Sequence, residues 1–323
     1  MIVLVTGASG FLGGAVASEL VSSGHEVRTL QRRPSHVAGA TDILGSIADP
    51  ALLARATDGV EGVVHLAAKV SLAGAPSEFR AINVTGTRDL LDAAERAGVT
   101  RFVHVSSPSV AHTGSAIAGA GADPADPVHA RGDYARTKAE AELLALARDS
   151  PAMGVIAIRP HLVWGPGDTQ LVARIVERAR RGRLPLLNGG TALVDSTYID
   201  NAASAIVAAL NRAREAHGRA FVVTNGEPRP VGELLAGICL AAGVRPPHWS
   251  IPAALGRAAG SAIERVWAIR PGADEPPMTR FLAEQLSTAH WFDQSETRRA
   301  LNWAPSVTLD EGLRRLAASC ARA

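Results

Sequence analysis

The sequence predicts an α/β fold, a doubly wound parallel sheet with a smaller C-terminal lobe, and three observations carry that reading. Short β-branched runs alternate with helical patterns through the first half of the 323 residues, as strands joined by crossover helices do. A glycine-rich turn joins the first run to the first helix. Hydrophobic residues make up 47% and charged residues 20% of the chain, enough apolar mass for a core and unlike a disordered chain.

Residues 2–5 form the first strand, and residues 11–24 a helix whose end Gly24 marks, glycine being favoured just past a helix C-terminus. Residues 25–30 are a strand, 50–57 a helix, 63–66 a strand, 78–98 a long helix, 101–105 a strand, 133–149 a helix and 155–158 a strand. In the second half, 171–181 and 201–214 read as helices, 220–224 as a last strand, 226–230 as a turn and 231–242 as a helix. Prolines break the stretches 246–252 and 271–277 into short pieces. The glycine- and alanine-rich run 113–125 reads as a mobile surface loop. The chain divides mainly into residues 1–168 and 169–323, with 193–224 returning in part to the first domain.

Composition also excludes some functions. Lysine plus arginine is 33 and aspartate plus glutamate 31, a balance that argues against a nucleic-acid-binding surface. Two cysteines, Cys239 and Cys320, make neither a disulfide framework nor a metal site and read as reduced thiols of a cytoplasmic protein. No secretory signal and no apolar run long enough for a transmembrane segment stands out.

The segment 6–14, TGASGFLGG, places Gly7, Gly10 and Gly13 between a strand and a helix. Gly7 permits a tight turn, Gly10 lets backbone N–H groups approach a pyrophosphate, and Gly13 lets helix and strand pack closely. Ser9, Phe11 and Leu12 share the turn. The helix N-terminus adds partial positive charge for the anion. This is the fingerprint of a Rossmann-type, dinucleotide-binding sheet. An acid at the end of the second strand would favour NAD, but this chain has Gln31-Arg32-Arg33 there. Guanidinium groups match a phosphate fork, so the expected cofactor is NADP, with NAD as the alternative, and Arg32, then Arg33, on its 2′-phosphate. The other reading of the two arginines is a solvated surface.

Tyr134 and Lys138 lie four apart in a helical stretch and so share a face. A phenol titrates near ~10, and a nearby ammonium lowers that value, which makes the pair a tuned proton donor and acceptor. Ser106 and Ser107 end the preceding strand, where ligands of open α/β sheets bind; a hydroxyl there can bond a carbonyl.

These segments resemble the extended short-chain dehydrogenase/reductase family over nearly the whole chain. The likeness rests on TGASGFLGG (6–14), HLAAKV (65–70), INVTGT (82–87), VSSPSV (105–110), YARTK (134–138), IRPHLVWGPGD (158–168), VDSTYIDNA (194–202), TNGEPRP (224–230) and TRFLAEQLSTAHWFD (279–293). The last stretches look most like the 3β-hydroxysteroid dehydrogenase branch, and within it like bacterial reductases of 2-alkyl-3-oxo acids. The resemblance implies Tyr134 as general acid–base, Lys138 on the nicotinamide ribose, Ser107 (with Ser106 as the fallback) orienting the carbonyl, and Asn83 supporting the site. It implies that Leu66, Ala67, Ala68 and Lys69 line the cofactor cleft and that Pro160 and His161 meet its nicotinamide end, His161 reading equally well as a structural histidine. Where the family has Gly-Asp after the third strand, this chain has Gly45-Ser46-Ile47, so the adenine contact falls to Ser46 or Ile47. The family often pairs as a homodimer through its two long helices, here 78–98 and 133–149.

For the substrate, Trp164, Trp249, Trp267, Phe281, Trp291 and Phe292 concentrate in the second half, and an apolar pocket would use such side chains; each also suits a plain core. Val70, Ser109 and His161 join Trp164, Trp267 and Phe281 as expected substrate neighbours. Residues 251–269 carry Leu255, Ala259, Ala262 and Val266 on one stripe, which suits a lid helix over a greasy substrate or a helix on a membrane surface. The function expected is therefore reversible reduction of a ketone on a hydrophobic small molecule, a 2-alkyl-3-oxo acid first. A 3β-hydroxysteroid, a sugar nucleotide handled by an epimerase or dehydratase, and a cofactor-binding sensor are the alternatives. No metal is called for.

Overall fold

The computed structural model describes residues 1–70, 74–112, 114–268 and 279–322. The chain opens with strand β1 (Ile2–Thr6), helix α1 (Phe11–Ser22), strands β2 (Glu26–Gln31) and β3 (Ala40–Leu44), helix α2 (Pro50–Thr57) and strand β4 (Gly62–His65). Helix α3 (Pro76–Phe79) runs through a π-helical stretch, Arg80–Thr85, into α4 (Gly86–Arg96). Then come β5 (Arg101–Val105), β6 (Ile117–Ala120), α5 (Gly132–Leu146), β7 (Gly154–Pro160), β8 (Val163–Trp164), α6 (Leu171–Arg180), β9 (Leu186–Leu187), β10 (Leu193–Val194), β11 (Thr197–Tyr198), α7 (Ile199–Arg212) and β12 (Arg219–Val223). The C-terminal part adds β13 (Arg229–Pro230), α8 (Val231–Ala241), β14 (Ser250–Ile251), α9 (Ala253–Ala268), α10 (Arg280–Ser287), β15 (His290–Phe292), α11 (Ser295–Leu301) and α12 (Leu309–Cys320).

Seven parallel strands form the main sheet in the order β12-β7-β5-β4-β1-β2-β3. Both faces are covered, which is why its central strands are continuously apolar rather than alternating. On one face Val16, Ala17 and Leu20 of α1 meet Ile206 and Leu210 of α7. On the other, Leu52 and Leu53 of α2, Leu90 and Leu91 of α4 and Ala145 of α5 pack together. The strand order reverses between β1 and β4, and such a reversal opens a crevice at the carboxyl ends of the strands.

Four expectations change here. Strand β3, which no apolar run in the sequence announces, forms a polar edge, with Thr41, Asp42 and Leu44 exposed. The helix expected over 78–98 is broken in its hydrogen-bond register by the π-helical stretch. The run 113–125 is not a simple loop: β6 lies within it and pairs with β15 in a second sheet, β13-β10-β15-β6. Its strand partner lies far along the chain and leaves no local signal. Gly119, at φ 69°, packs under the Trp291 ring, where a Cβ would come within 2.8 Å of ring carbon. Finally, the apolar stripe of 251–269 faces outward. Leu255 is 61% and Val266 50% exposed, while α9 buries Ala253, Gly256 and Gly260. Small residues give α9 its close approach, a Cβ on Gly256 falling 2.9 Å from Leu187. The proline segment 271–277 lies outside the described residues. Among the described residues no helix is long and apolar enough to cross a membrane.

Candidate active site

A cleft of about 590 Å³ runs across the carboxyl ends of β2, β1, β4, β5 and β7. Its floor is the glycine turn. Gly7 sits at φ +80° with its Cβ position 2.9 Å from the backbone nitrogen of Ala67, and a Cβ on Gly13 would fall 2.3 Å from the Gly7 carbonyl oxygen. A side chain at Gly7 would push the turn off the loop after β4, and one at Gly13 would push α1 off the turn. Gly10 caps α1 with no side-chain hydrogen bond, so it leaves the N–H groups of the first turn open, and helix ends offer such groups to anions. Ser9, Gly10, Phe11 and Leu12 line the cleft, as do Leu66, Ala67 and Ala68 after β4. The donor set and the space fit a dinucleotide.

At one end of the cleft Arg32 and Arg33 are exposed beside Ser46 and Ile47. The nearby Asp42 is turned to its own neighbours. Its carboxylate accepts from Thr29 Oγ1 at 2.5 Å, Ser35 Oγ at 2.6 Å and Gln31 Nε2 at 3.1 Å. Burial pushes the Asp42 pKa up, but these bonds outweigh it and hold the group below its ordinary value.

At the other end stand Ser106, Ser107, Tyr134, Lys138 and Pro160. Ser107 N-caps a short 3₁₀ turn, Pro108–Ala111, and its Oγ accepts from Ser109 Oγ at 3.0 Å and Ser109 N at 3.3 Å. Ser107 stands by the Tyr134 hydroxyl and pulls the phenol down, but burial outweighs it and pushes the pKa up to about 12. The expected lowering by Lys138 is therefore not the arrangement seen. The Lys138 ammonium donates to the Val105 carbonyl at 2.6 Å and lies 3.4 Å from His104 Nε2. Burial brings Lys138 down to about 8, with Glu142 pulling the other way. Glu142 is itself held by Arg159, whose Nε donates at 2.9 Å. Ser106 Oγ is buried with no hydrogen-bond partner among the described residues.

Asn83 does not line the cleft. It is buried behind the wall, carried there by the π-helical stretch. Its Oδ1 accepts from Lys69 N at 2.7 Å, and its Nδ2 donates to Lys69 O at 3.2 Å and Thr137 Oγ1 at 3.0 Å. It thus ties the loop after β4 to the helix that holds Tyr134. Lys69 and Val70 line the cleft, Val70 being 66% exposed.

Four expected substrate neighbours lie elsewhere. Trp164 is fully buried, edge-on to Tyr198 at 5.5 Å, with Nε1 donating to Ser196 Oγ at 3.0 Å. His161 is buried beside the cleft wall, its Nδ1 2.6 Å from the Asp195 carbonyl oxygen and its ring edge-on to Phe292 at 5.2 Å. Burial holds its pKa down to about 4, so it stands as a neutral structural ring. Ser109 supports Ser107 rather than lining the cleft. Trp267 is half-buried on α9, away from the cleft wall, and the Phe281 side chain lies outside those described.

A buried network escaped sequence reasoning. His65 sits 2.7 Å from Thr6 Oγ1 through Nδ1 and 2.9 Å from Thr87 Oγ1 through Nε2, and Thr6 Oγ1 accepts from Ala67 N at 3.1 Å. The His104 ring lies 5.5 Å from that of His65. The histidine of HLAAKV was the available signal for His65; His104 has none, because its partner Lys138 is on another element.

A model of the NAD dependent epimerase/dehydratase family matches residues 3–224. The chain is 41% identical to the 2-alkyl-3-oxoalkanoate reductase of Stenotrophomonas maltophilia (strain K279a), over 99% of this chain and 100% of that one. It is 33% identical to the 3 beta-hydroxysteroid dehydrogenase/Delta 5-->4-isomerase of Mycobacterium tuberculosis (strain CDC 1551 / Oshkosh), over 96% and 88% of the two. Among solved structures, MoeE5 in complex with UDP-glucose and NAD shares 26% identity at a TM-score of 0.75, with 100% of this chain and 99% of that chain covered. Fold, cleft and relatives agree: the chain belongs to the NAD dependent epimerase/dehydratase family and is an oxidoreductase of the extended short-chain dehydrogenase/reductase type.

Proposed function

We propose that this enzyme is an NADP-dependent reductase of a ketone on a hydrophobic substrate, with a 2-alkyl-3-oxo acid as that substrate. The observation that carries the reading is the meeting of Ser107, Tyr134 and Lys138, the last one helical turn on from Tyr134, at one end of a dinucleotide-shaped cleft. The full-length 41% identity to a 2-alkyl-3-oxoalkanoate reductase supports the substrate. The bound cofactor supplies a hydride to the carbonyl carbon. Tyr134, protonated at neutral pH because burial holds it at about 12, gives its proton to the carbonyl oxygen as charge develops there. Ser107 orients that oxygen. Lys138, protonated below about 8, keeps positive charge at this end of the cleft and holds the cofactor's ribose. Arg32 and Arg33 hold the 2′-phosphate; Ser46 and Ile47 flank the adenine. Asn83 keeps the loop after β4 and helix α5 in register. Two copies pair through α4 and α5, a reading supported by Leu143 of α5, 43% exposed.

The test is absorbance at 340 nm with purified protein. NADPH consumption with a 2-alkyl-3-oxo acid, faster than with NADH, is expected. Turnover restricted to a 3β-hydroxysteroid with NAD would overturn both the substrate and the role of Arg32. Protection of the protein by UDP- or dTDP-sugars, without reduction of the oxo acid, would favour an epimerase or dehydratase.

A further inference from the structure

Of the 33 lysines and arginines in the chain, two are lysine, Lys69 and Lys138, and both line the same cleft. At every other basic position the sequence uses arginine. An ammonium is compact, concentrates its charge and donates singly in any direction, whereas a guanidinium is a planar fork. Lys138 has its place in the chemistry above; Lys69 has none.

Lys69 is held at the Tyr134 end of the cleft by its backbone, both of whose polar groups bond Asn83, which in turn bonds Thr137 beside Lys138. The Lys69 ammonium pairs with Glu78 and lies 5.2 Å from the centre of the Phe79 ring. Lys69 is 24% and Glu78 57% exposed, and a pair that open to water holds its partners weakly. An incoming carboxylate can therefore replace Glu78 at little cost. The next residue, Val70, offers an exposed apolar surface at the same rim. A movable cation beside an apolar rim suits a ligand with an anionic head and an alkyl chain.

We infer that Lys69 is the counter-charge for the substrate's carboxylate, exchanging Glu78 for that group when the substrate binds. The inference rests on the reading of the protein as a reductase of 2-alkyl-3-oxo acids, and it assigns Lys69 to substrate rather than to cofactor. It makes Lys69 the residue that separates an oxo acid from a neutral ketone or a steroid.

The experiment runs in the oxidising direction, where the substrates keep their carboxyl group until turnover. NADP reduction is followed with a 2-alkyl-3-hydroxy acid and with its methyl ester, for the wild type, Lys69→Met and Glu78→Gln, alongside NADPH affinity measured by fluorescence. Lys69→Met should raise KM for the acid about 10–100-fold and KM for the ester far less, with the loss on the acid exceeding any change in NADPH affinity. Glu78→Gln, which removes the competing carboxylate, should lower KM for the acid. Equal losses on acid and ester, or weakened NADPH binding with an unmoved acid KM, would overturn the assignment while leaving the reductase reading intact. A wild type that oxidises neither compound would bring down both.

Discussion

At Tyr134 burial and the neighbouring Ser107 pull the phenol in opposite directions, and burial wins. A phenol so held is a proton donor throughout the neutral range. Replacing it by phenylalanine removes the proton and little of the packing. Tyr134→Phe should lower kcat by about 10²–10⁴-fold and leave cofactor affinity unchanged; equilibrium binding followed by single-turnover kinetics separates the two. Unchanged turnover would remove Tyr134 from the chemistry. Arg32→Ala should weaken NADP about tenfold or more with little effect on NAD, and titration of both cofactors against the variant decides it. Residues whose partners are close in sequence were legible: the Tyr134–Lys138 spacing and the three glycines needed only one helix or one turn to be recognised. Trp164 and His161 were not, because the groups that occupy them, Ser196, Tyr198, Asp195 and Phe292, come from segments brought together only by the fold.

Helix α1 shows how much one atom matters at the scale of an element. Alanine is the better helix former than glycine by roughly 1 kcal/mol, so propensity alone favours Gly13→Ala. The added Cβ, however, meets the Gly7 carbonyl oxygen at 2.3 Å, a backbone atom that cannot swing aside. The clash decides the sign. Gly13→Ala should lower the melting temperature by several degrees and weaken cofactor binding together, whereas Gly14→Ala, whose Cβ meets the nearest atom at 3.2 Å, should be mild; thermal melts with and without NADP compare them. Elements buried on both faces, such as β1 and β5, were plain in the sequence because apolar runs mark them. Strands β3 and β6 were not: one is a polar edge, and the other depends on a partner strand near the far end of the chain.

Over the whole molecule, several buried histidines tie stability to pH. His65, His161 and His290 are held down to about 3, about 4 and about 3 by burial, from 6.5 when free. Above pH 6.5 both folded and unfolded chains keep them neutral. Below it the unfolded chain takes up protons that the folded one refuses. Stability should then fall by up to about 1.4 kcal/mol per histidine per pH unit, until the folded values are reached. Urea midpoints at pH 7, 5.5 and 4.5 should drop steadily, with a shallower drop for His290→Gln. Equal slopes for that variant and the wild type would show that His290 does not carry the effect.

The seventh strand has one more consequence, in the order in which the chain is made. β12, residues 219–223, closes the sheet beside β7, and α7 covers the face behind it. A ribosome that has released only the first 168 residues has delivered six of the seven strands, but neither of these pieces. The nascent chain then presents β7 as an open edge above an uncovered apolar face lined by Val103, Ile156 and Ile158. The dinucleotide half of the molecule therefore waits for the segment 199–223 before it can close. A fragment cut after residue 168 would be a sticky, incomplete sheet, and truncations that respect the fold must retain residues 199–223.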